Sequence, residues 1–138
     1  MKSKSILWAG GFAAALTLAF GAGVVVGESQ APEKMRGVEV GAPTSLYLGT
    51  EMDSVEGRHL RLRVITFEPG GAVPMHAHKD RPAIAYVIKG TLTEHREGVG
   101  VVEHAEGDSI IEDGPTVHWA ENRTGDTVVV LAADVFKP

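Results

Sequence analysis

The stretch PGGAVPMHAHKDRPAIAYVIKG, residues 69–90, places two histidines one residue apart between a Gly/Pro turn and an apolar run. Residues i and i+2 of a β-strand point to the same face, so we expect His76 and His78 to project side by side. At that spacing each imidazole could donate one nitrogen to a single divalent ion, at about 2.0–2.2 Å. A third ligand would have to come from another strand.

Three further histidines are candidates for this third ligand. His95 and His104 each follow a glutamate, in stretches where the side chains are expected to be solvated. His118 differs because it follows a turn and lies within the apolar sequence TVHWA, residues 116–120. A buried imidazole needs a polar partner, and a metal ion would provide one. The alternative for the H-x-H pair is that its rings are ordinary half-buried or surface side chains of a strand.

The sequence after residue 43 consists of short apolar or alternating runs that are broken by turn residues every 8 to 12 positions. This pattern is typical of a β-sandwich or β-barrel, and no run of ten residues has helical periodicity. It predicts an all-β fold, a single antiparallel β-barrel of about eight or nine short strands. The runs cover residues 60–67, 84–88, 91–95, 98–104, 109–112, 117–121 and 127–135.

The N-terminus differs from the rest of the chain. Lys2 and Lys4 precede an uncharged apolar run over residues 6–26, which as a helix would be about 31 Å long and could cross a bilayer. Residues 1–27 are therefore expected to form an apolar helix that is either a cleaved signal peptide or a retained membrane anchor. Both alternatives place the remaining chain in the periplasm or on the extracytoplasmic face of the membrane.

Amino-acid composition indicates the domain boundaries and excludes several classes of function. The polar, Gly- and Pro-rich residues 28–43 are typical of a linker, which leaves residues 44–138 as the barrel domain. The chain has no cysteine, which excludes disulfides, thiolate metal sites and a cysteine nucleophile. It carries 13 basic and 18 acidic residues, without the basic clusters of nucleic-acid binding proteins. We therefore expect a small-molecule partner and no nucleic acid, with a membrane partner if the anchor is retained.

Two motifs in this sequence resemble those of the cupin superfamily. The first runs from Gly70 through His76 and His78 to Gly90, and the second from Gly107 through the Asp113-Gly114-Pro115 turn and His118 to Asn122. The resemblance covers residues 58–136. It implies a small double-stranded β-helix, or jelly roll, in which His76, His78 and His118 converge on one divalent metal ion. Small cupins often pair through an edge strand, so the resemblance also suggests a homodimer.

The sequence departs from the cupin pattern at Ala83, where the first motif normally has a glutamate ligand. Three neutral imidazoles would leave a divalent ion with its full charge and with open positions for an anionic or chelating ligand. Glu112 and Glu94 are the candidate substitutes for the missing carboxylate. A decayed site, or a module that only senses a small molecule, is the alternative.

Other three-histidine cupins hold ferrous iron and bind their substrate directly to it. By analogy, Fe²⁺ is the favoured metal here, with Zn²⁺, Mn²⁺, Ni²⁺ and Cu²⁺ as alternatives, since affinity order alone does not select one. The analogy suggests oxygenase-type chemistry, as in a non-heme dioxygenase, on a small chelating organic molecule. A non-catalytic metal- or ligand-binding module is the rival function. Tyr86 and Trp119 are expected in the core, Tyr86 or Arg81 could orient a substrate, and Asn122 fits a turn.

Overall fold

Nine β-strands form the part of the chain that the computed structural model describes, residues 29–138, and there is no helix in this range. The strands are β1 (Arg36–Val40), β2 (Thr44–Tyr47), β3 (His59–Ala77), β4 (Ala83–Lys89), β5 (Thr91–Arg96), β6 (Gly100–Ala105), β7 (Ser109–Glu112), β8 (Val117–Glu121) and β9 (Val128–Phe136). The predicted all-β class is thereby confirmed.

All strand pairs are antiparallel, and they follow one another in the order β6-β5-β8-β3-β9-β4-β7. Strands β1 and β2 add to β3 outside this path. The result is a nearly closed antiparallel barrel, as predicted. The alternation of burial along β9 shows how the sequence specifies the inner face of the barrel. Val128, Val130 and Ala132 are buried, while the residues between them are only half-buried.

Strand β3 links the two halves of the barrel. The sequence predicts a turn at Pro69-Gly70-Gly71, but the chain bends there without leaving the strand. Gly70 has a φ of +74°, a conformation that side chains disfavour, and this allows the bend. Residues before the bend pair with β9, and residues after it pair with β8. The second half of β3 therefore places the histidine pair beside β8 rather than β9.

The expected linker, residues 28–43, is only partly an extended arm. Strand β1 lies within it and pairs with β3. Glycines explain this pairing: a Cβ on Gly71 would be 2.3 Å from the carbonyl oxygen of Gly37, so two facing glycines permit the close approach. Val38 also packs against the core. The barrel therefore includes a strand, β1, whose composition is typical of a loop.

The apolar segment predicted at residues 1–27 lies outside the described residues. Among residues 29–138, the structure contains no helix that is long and apolar enough to cross a bilayer.

Candidate metal centre

The three predicted histidines lie on the interior of the barrel. His76, near the end of β3, is directly paired with His118 of β8, and His78 follows two residues later. His78 is 1% exposed and His118 is 3% exposed. Pairing across neighbouring strands and the two-residue repeat along β3 thus bring the three rings together.

The Nε2 atoms of the three rings converge. His118 Nε2 lies 3.0 Å from His78 Nε2 and 3.1 Å from His76 Nε2, and the three rings together form a candidate metal-ligand group. Two nitrogens that are each about 2.1 Å from one ion, at about 90° to one another, are separated by about 3.0 Å. The two separations that involve His118 therefore fit neighbouring ligands of one divalent ion, and the ligand atoms of all three residues lie within 4.8 Å of one another.

The opposite nitrogen of each ring fixes its tautomer. Nδ1 of His76 lies 2.9 Å from the carbonyl oxygen of Pro74, and Nδ1 of His78 lies 3.2 Å from that of Arg81. A carbonyl only accepts, so each Nδ1 carries the proton and each Nε2 carries a lone pair. His118 Nδ1 likewise donates to Glu94 Oε1, at 2.5 Å. Three lone pairs thus point at one another, an arrangement that a cation between them would stabilise.

Protonation of His76 and His78 is disfavoured. Burial, followed by the positive charge of Arg81, lowers the pKa of His78 to about 4. Burial also lowers the pKa of His76. Both rings are therefore neutral near pH 7, which is the form that binds a metal ion.

Glu94 of β5 holds His118 in place. Burial alone would raise the pKa of Glu94, but hydrogen bonds from His118, His104 and Arg96 outweigh it and lower the pKa to about 2. The carboxylate is 2% exposed and stays ionised. An ionised partner on Nδ1 makes the opposite nitrogen of His118 a stronger metal ligand.

A second carboxylate reaches the same point from β7. Glu112 is the direct cross-strand neighbour of Ala83, the position where the cupin pattern has its glutamate. Its carboxylate oxygens lie 3.5 Å from His78 Nε2 and 3.6 Å from His118 Nε2. Burial raises the pKa of Glu112, an effect that a nearby cation would oppose. The small side chain of Ala83 therefore adjoins a carboxylate from the neighbouring strand.

A cavity of about 300 Å³ opens beside the histidines. Its walls are mainly apolar, with Phe67, Val130 and Ala132 among them, and Arg63, Arg81 and Glu112 contribute charges. Met35 and Val40, from the N-terminal arm, line its outer part and are themselves exposed. An apolar cavity with a few convergent polar groups is the usual form of a small-molecule site.

The other residues singled out from the sequence have varied positions. Trp119 is buried as predicted, and it stacks on His95 with ring centroids 3.7 Å apart. The prediction of a core role for Tyr86 is wrong, because its side chain points outward and is 44% exposed. Asn122 is fully buried, where its amide donates to backbone carbonyls, including that of Asp126 at 2.7 Å. These hydrogen bonds stabilise a turn, as predicted.

Replacing Glu94 with glutamine is expected to weaken metal binding about 10- to 100-fold. The amide can still accept from His118, but it lacks the charge that strengthens the imidazole as a ligand. Competition with a chromophoric chelator would measure the dissociation constant. Glu121→Gln is the matched control, since Glu121 also contacts a histidine and an arginine but away from the cavity. Equal losses in both variants would contradict the role of Glu94.

Comparisons with known proteins agree on the fold. Residues 63–134 match the family described as the cupin domain (Cupin_2). No curated protein matches the chain in sequence. Among solved structures, the chain resembles the Cupin_2 domain of an XRE family transcriptional regulator from Enterobacter cloacae, with a TM-score of 0.56 and 15% identity over 75% of this chain and 99% of that one.

Two further structures are similar. A sugar phosphate isomerase from Silicibacter pomeroyi gives a TM-score of 0.54 and 21% identity, over 73% of each chain. A predicted oxalate decarboxylase from Thermotoga maritima gives 0.51 and 20% identity, over 69% of this chain and 92% of that one. At these identities the likeness extends to the fold alone. The family match covers more than half of the sequence, and the protein therefore belongs to the cupin domain family.

Proposed function

We propose that this cupin holds one divalent metal ion, with Fe²⁺ favoured, and carries out oxygenase-type chemistry on a small chelating organic molecule. The supporting observation is the convergence of three Nε2 lone pairs beside a largely apolar cavity. His76, His78 and His118 would bind the ion, and Glu112 would be its fourth protein ligand. Ferrous iron in such a site supplies the ability to react with dioxygen.

The remaining residues hold and enclose these ligands. The carbonyls of Pro74 and Arg81 and the carboxylate of Glu94 keep each Nδ1 protonated, so that each Nε2 faces the ion. Apolar walls exclude water from the reacting groups, which strengthens electrostatic interactions within the cavity. The volume of about 300 Å³ matches a molecule of a few carbons rather than a polymer.

Anaerobic loading with Fe²⁺, followed by oxygen-electrode measurements across diketones, thiols and phenols, tests the catalytic proposal. We expect oxygen consumption with at least one chelating compound, and mass spectrometry should show that compound to be oxidised. The rival function, a non-catalytic binding module, predicts that a compound binds and is recovered unchanged. Tight binding of metal and ligand without turnover would therefore contradict the oxygenase and favour the module.

The role of Glu112 has a direct genetic test. Glu112→Ala is expected to weaken metal binding at least tenfold, because it removes the negatively charged ligand. Adding Ala83→Glu to this variant should restore most of the affinity, since residues 83 and 112 are paired across neighbouring strands. Isothermal titration with Zn²⁺ would measure both. Wild-type affinity in Glu112→Ala, or no recovery in the double variant, would count against Glu112 as a ligand.

We also propose that the protein is exported or tethered to the membrane through residues 1–27. The support is the sequence alone: two lysines before a long uncharged apolar run. Fractionation of cells that express the full chain, followed by mass spectrometry of its N-terminus, distinguishes the cases. A cleaved chain in the periplasm or an intact chain in the membrane supports the proposal, and an intact chain in the cytoplasm contradicts it.

Finally, we propose a homodimer through the outer face of the sheet formed by β2, β3, β9, β4 and β7. Six large apolar residues of this face are 41–66% exposed: Leu46, Leu60, Leu62, Ile84, Tyr86 and Ile111. Together they present on the order of 600 Å², most of the ~800 Å² that one partner contributes to a standard interface. An apolar sheet face can pack against a second copy of itself.

Light scattering on the purified protein should give the mass of a dimer, and Ile111→Lys should give that of a monomer. Val101→Lys, an equally drastic change at a 56% exposed position on β6, is the matched control and should remain dimeric. A monomeric wild-type protein at micromolar concentration would contradict the dimer.

A further inference from the structure

Three arginines share one buried carboxylate beside the candidate metal centre. Asp134 of β9 is 1% exposed. It accepts two hydrogen bonds from Arg61, at 2.9 and 2.6 Å, and one each from Arg63 and Arg81, both at 3.1 Å. We call this group the arginine cluster.

The arginine cluster carries more positive than negative charge. Three guanidinium groups face a single carboxylate, which leaves an excess of two positive charges. Burial lowers the pKa of the Arg63 guanidinium. Its Nε is also buried and has no hydrogen-bond partner among the described residues. Partly buried, incompletely paired guanidinium groups are stabilised by a further anion.

Only part of the cluster faces the cavity. Arg63 and Arg81 line it, together with the three metal-ligand candidates. Arg61 is directed elsewhere, with its guanidinium 4.1 Å from the ring centroid of Phe136, and it is not among the lining residues. Arg81 is also close to the metal centre, because its carbonyl accepts the hydrogen bond from His78 Nδ1. Two of the three arginines therefore line the same cavity as the candidate metal ligands.

We propose that the cavity's organic ligand carries a carboxylate, which Arg63 and Arg81 bind while the chelating end of the same molecule faces the histidines. This inference rests on the proposed metal-binding function and narrows its substrate class to small organic acids. Arginine suits the role because its planar fork matches the two oxygens of a carboxylate. The chain as a whole is acidic, with a formal charge of −5, so attraction for an anion must come from this local cluster.

A matched pair of probes isolates the carboxylate. Both 2,4-dioxopentanoate and pentane-2,4-dione have the same chelating diketone, and only the first has a carboxylate. Isothermal titration into the Zn²⁺-loaded protein should show that the acid binds at least tenfold more tightly than the neutral diketone. The Arg63→Gln and Arg81→Gln variants should each lose most of this preference. Arg61→Gln, which removes the same charge from Asp134 but not from the cavity wall, should retain it.

Two control measurements distinguish the possible causes of weaker binding. Zinc content and thermal unfolding are measured on every variant, which separates loss of the metal or the fold from loss of the carboxylate site. Arg81 precedes β4 and is partly exposed, so its variant tests the site even if Arg63→Gln is poorly folded. Equal affinity for the two probes in a zinc-loaded protein, or an equal loss in Arg61→Gln, would overturn the carboxylate site and leave the metal site standing. A wild-type protein that binds no zinc would overturn both.

Discussion

His118→Ala is expected to abolish metal binding, reducing the metal content from about one ion per chain to less than a tenth. His118 is the central ring, because its Nε2 lies within 3.1 Å of both other Nε2 atoms. Its loss leaves only His76, His78 and Glu112 as candidate ligands, and removes the ring that the ionised Glu94 orients. Elemental analysis after dialysis against Zn²⁺ or Mn²⁺ would measure the effect.

The same variant should also lose its stabilisation by metal. A ligand at 100 times its dissociation constant stabilises the folded state by about 2.7 kcal/mol, so the wild-type protein should unfold at a higher temperature with metal than without. His95→Ala is the matched control, since His95 also lies on a strand and contacts a glutamate. Retention of a full equivalent of metal in His118→Ala would contradict the assignment.

Asp134→Asn is expected to lower the free energy of unfolding by about 3 kcal/mol, near the lower end of the range for breaking a buried ion pair. The asparagine keeps the shape of the side chain but leaves three guanidinium groups without their shared negative charge. We expect a loss near the lower end of that range because the arginine side chains are 19–29% exposed and keep some contact with water. Urea unfolding at pH 7 measures the change.

The effect of Asp134→Asn should depend on pH. Burial alone would raise the pKa of Asp134, but hydrogen bonds from Arg61 and Arg81 and the charge of Arg63 outweigh it and lower the pKa. A lowered folded-state pKa stabilises the protein above the unfolded-state value of about 3.9, and this contribution is lost as the pH falls through the folded-state pKa. The difference between wild type and variant should be constant from pH 5 to 8 and shrink below about pH 4.

Asp108→Asn is the control for this series, because Asp108 is exposed and the only hydrogen bond that its carboxylate accepts in the described structure comes from the backbone N–H of Ala105. It should change the free energy of unfolding by less than ~0.5 kcal/mol. Equal stability of Asp134→Asn and the wild-type protein at pH 7 would show that the arginine cluster is not held by this carboxylate.

The barrel was predictable from local sequence patterns. Alternation in stretches such as residues 60–67 and turn residues between them specify strands and their inward faces. Two boundaries were not predictable in this way. Strand β3 continues through the Pro69-Gly70-Gly71 sequence, and β1 forms within the expected linker, because in both places glycines allow backbone approaches that depend on distant residues.

Only part of the candidate metal centre was predictable from the sequence. The histidines were recognisable because their spacing and the apolar context of His118 are local features. The sequence offers Glu112 and Glu94 as candidate carboxylates, but their separate roles depend on strand register, which the sequence does not encode locally. Register is what places Glu112 opposite Ala83 and Glu94 at His118 Nδ1. The convergence of Arg63 and Arg81 on Asp134 had no local signal.

Anomalous diffraction from a crystal of the metal-loaded protein tests the central claim most directly. We expect one ion about 2.0–2.3 Å from Nε2 of each of His76, His78 and His118, in the cavity inside the barrel. An ion bound elsewhere, or one that the ring of His118 does not contact, would contradict the account.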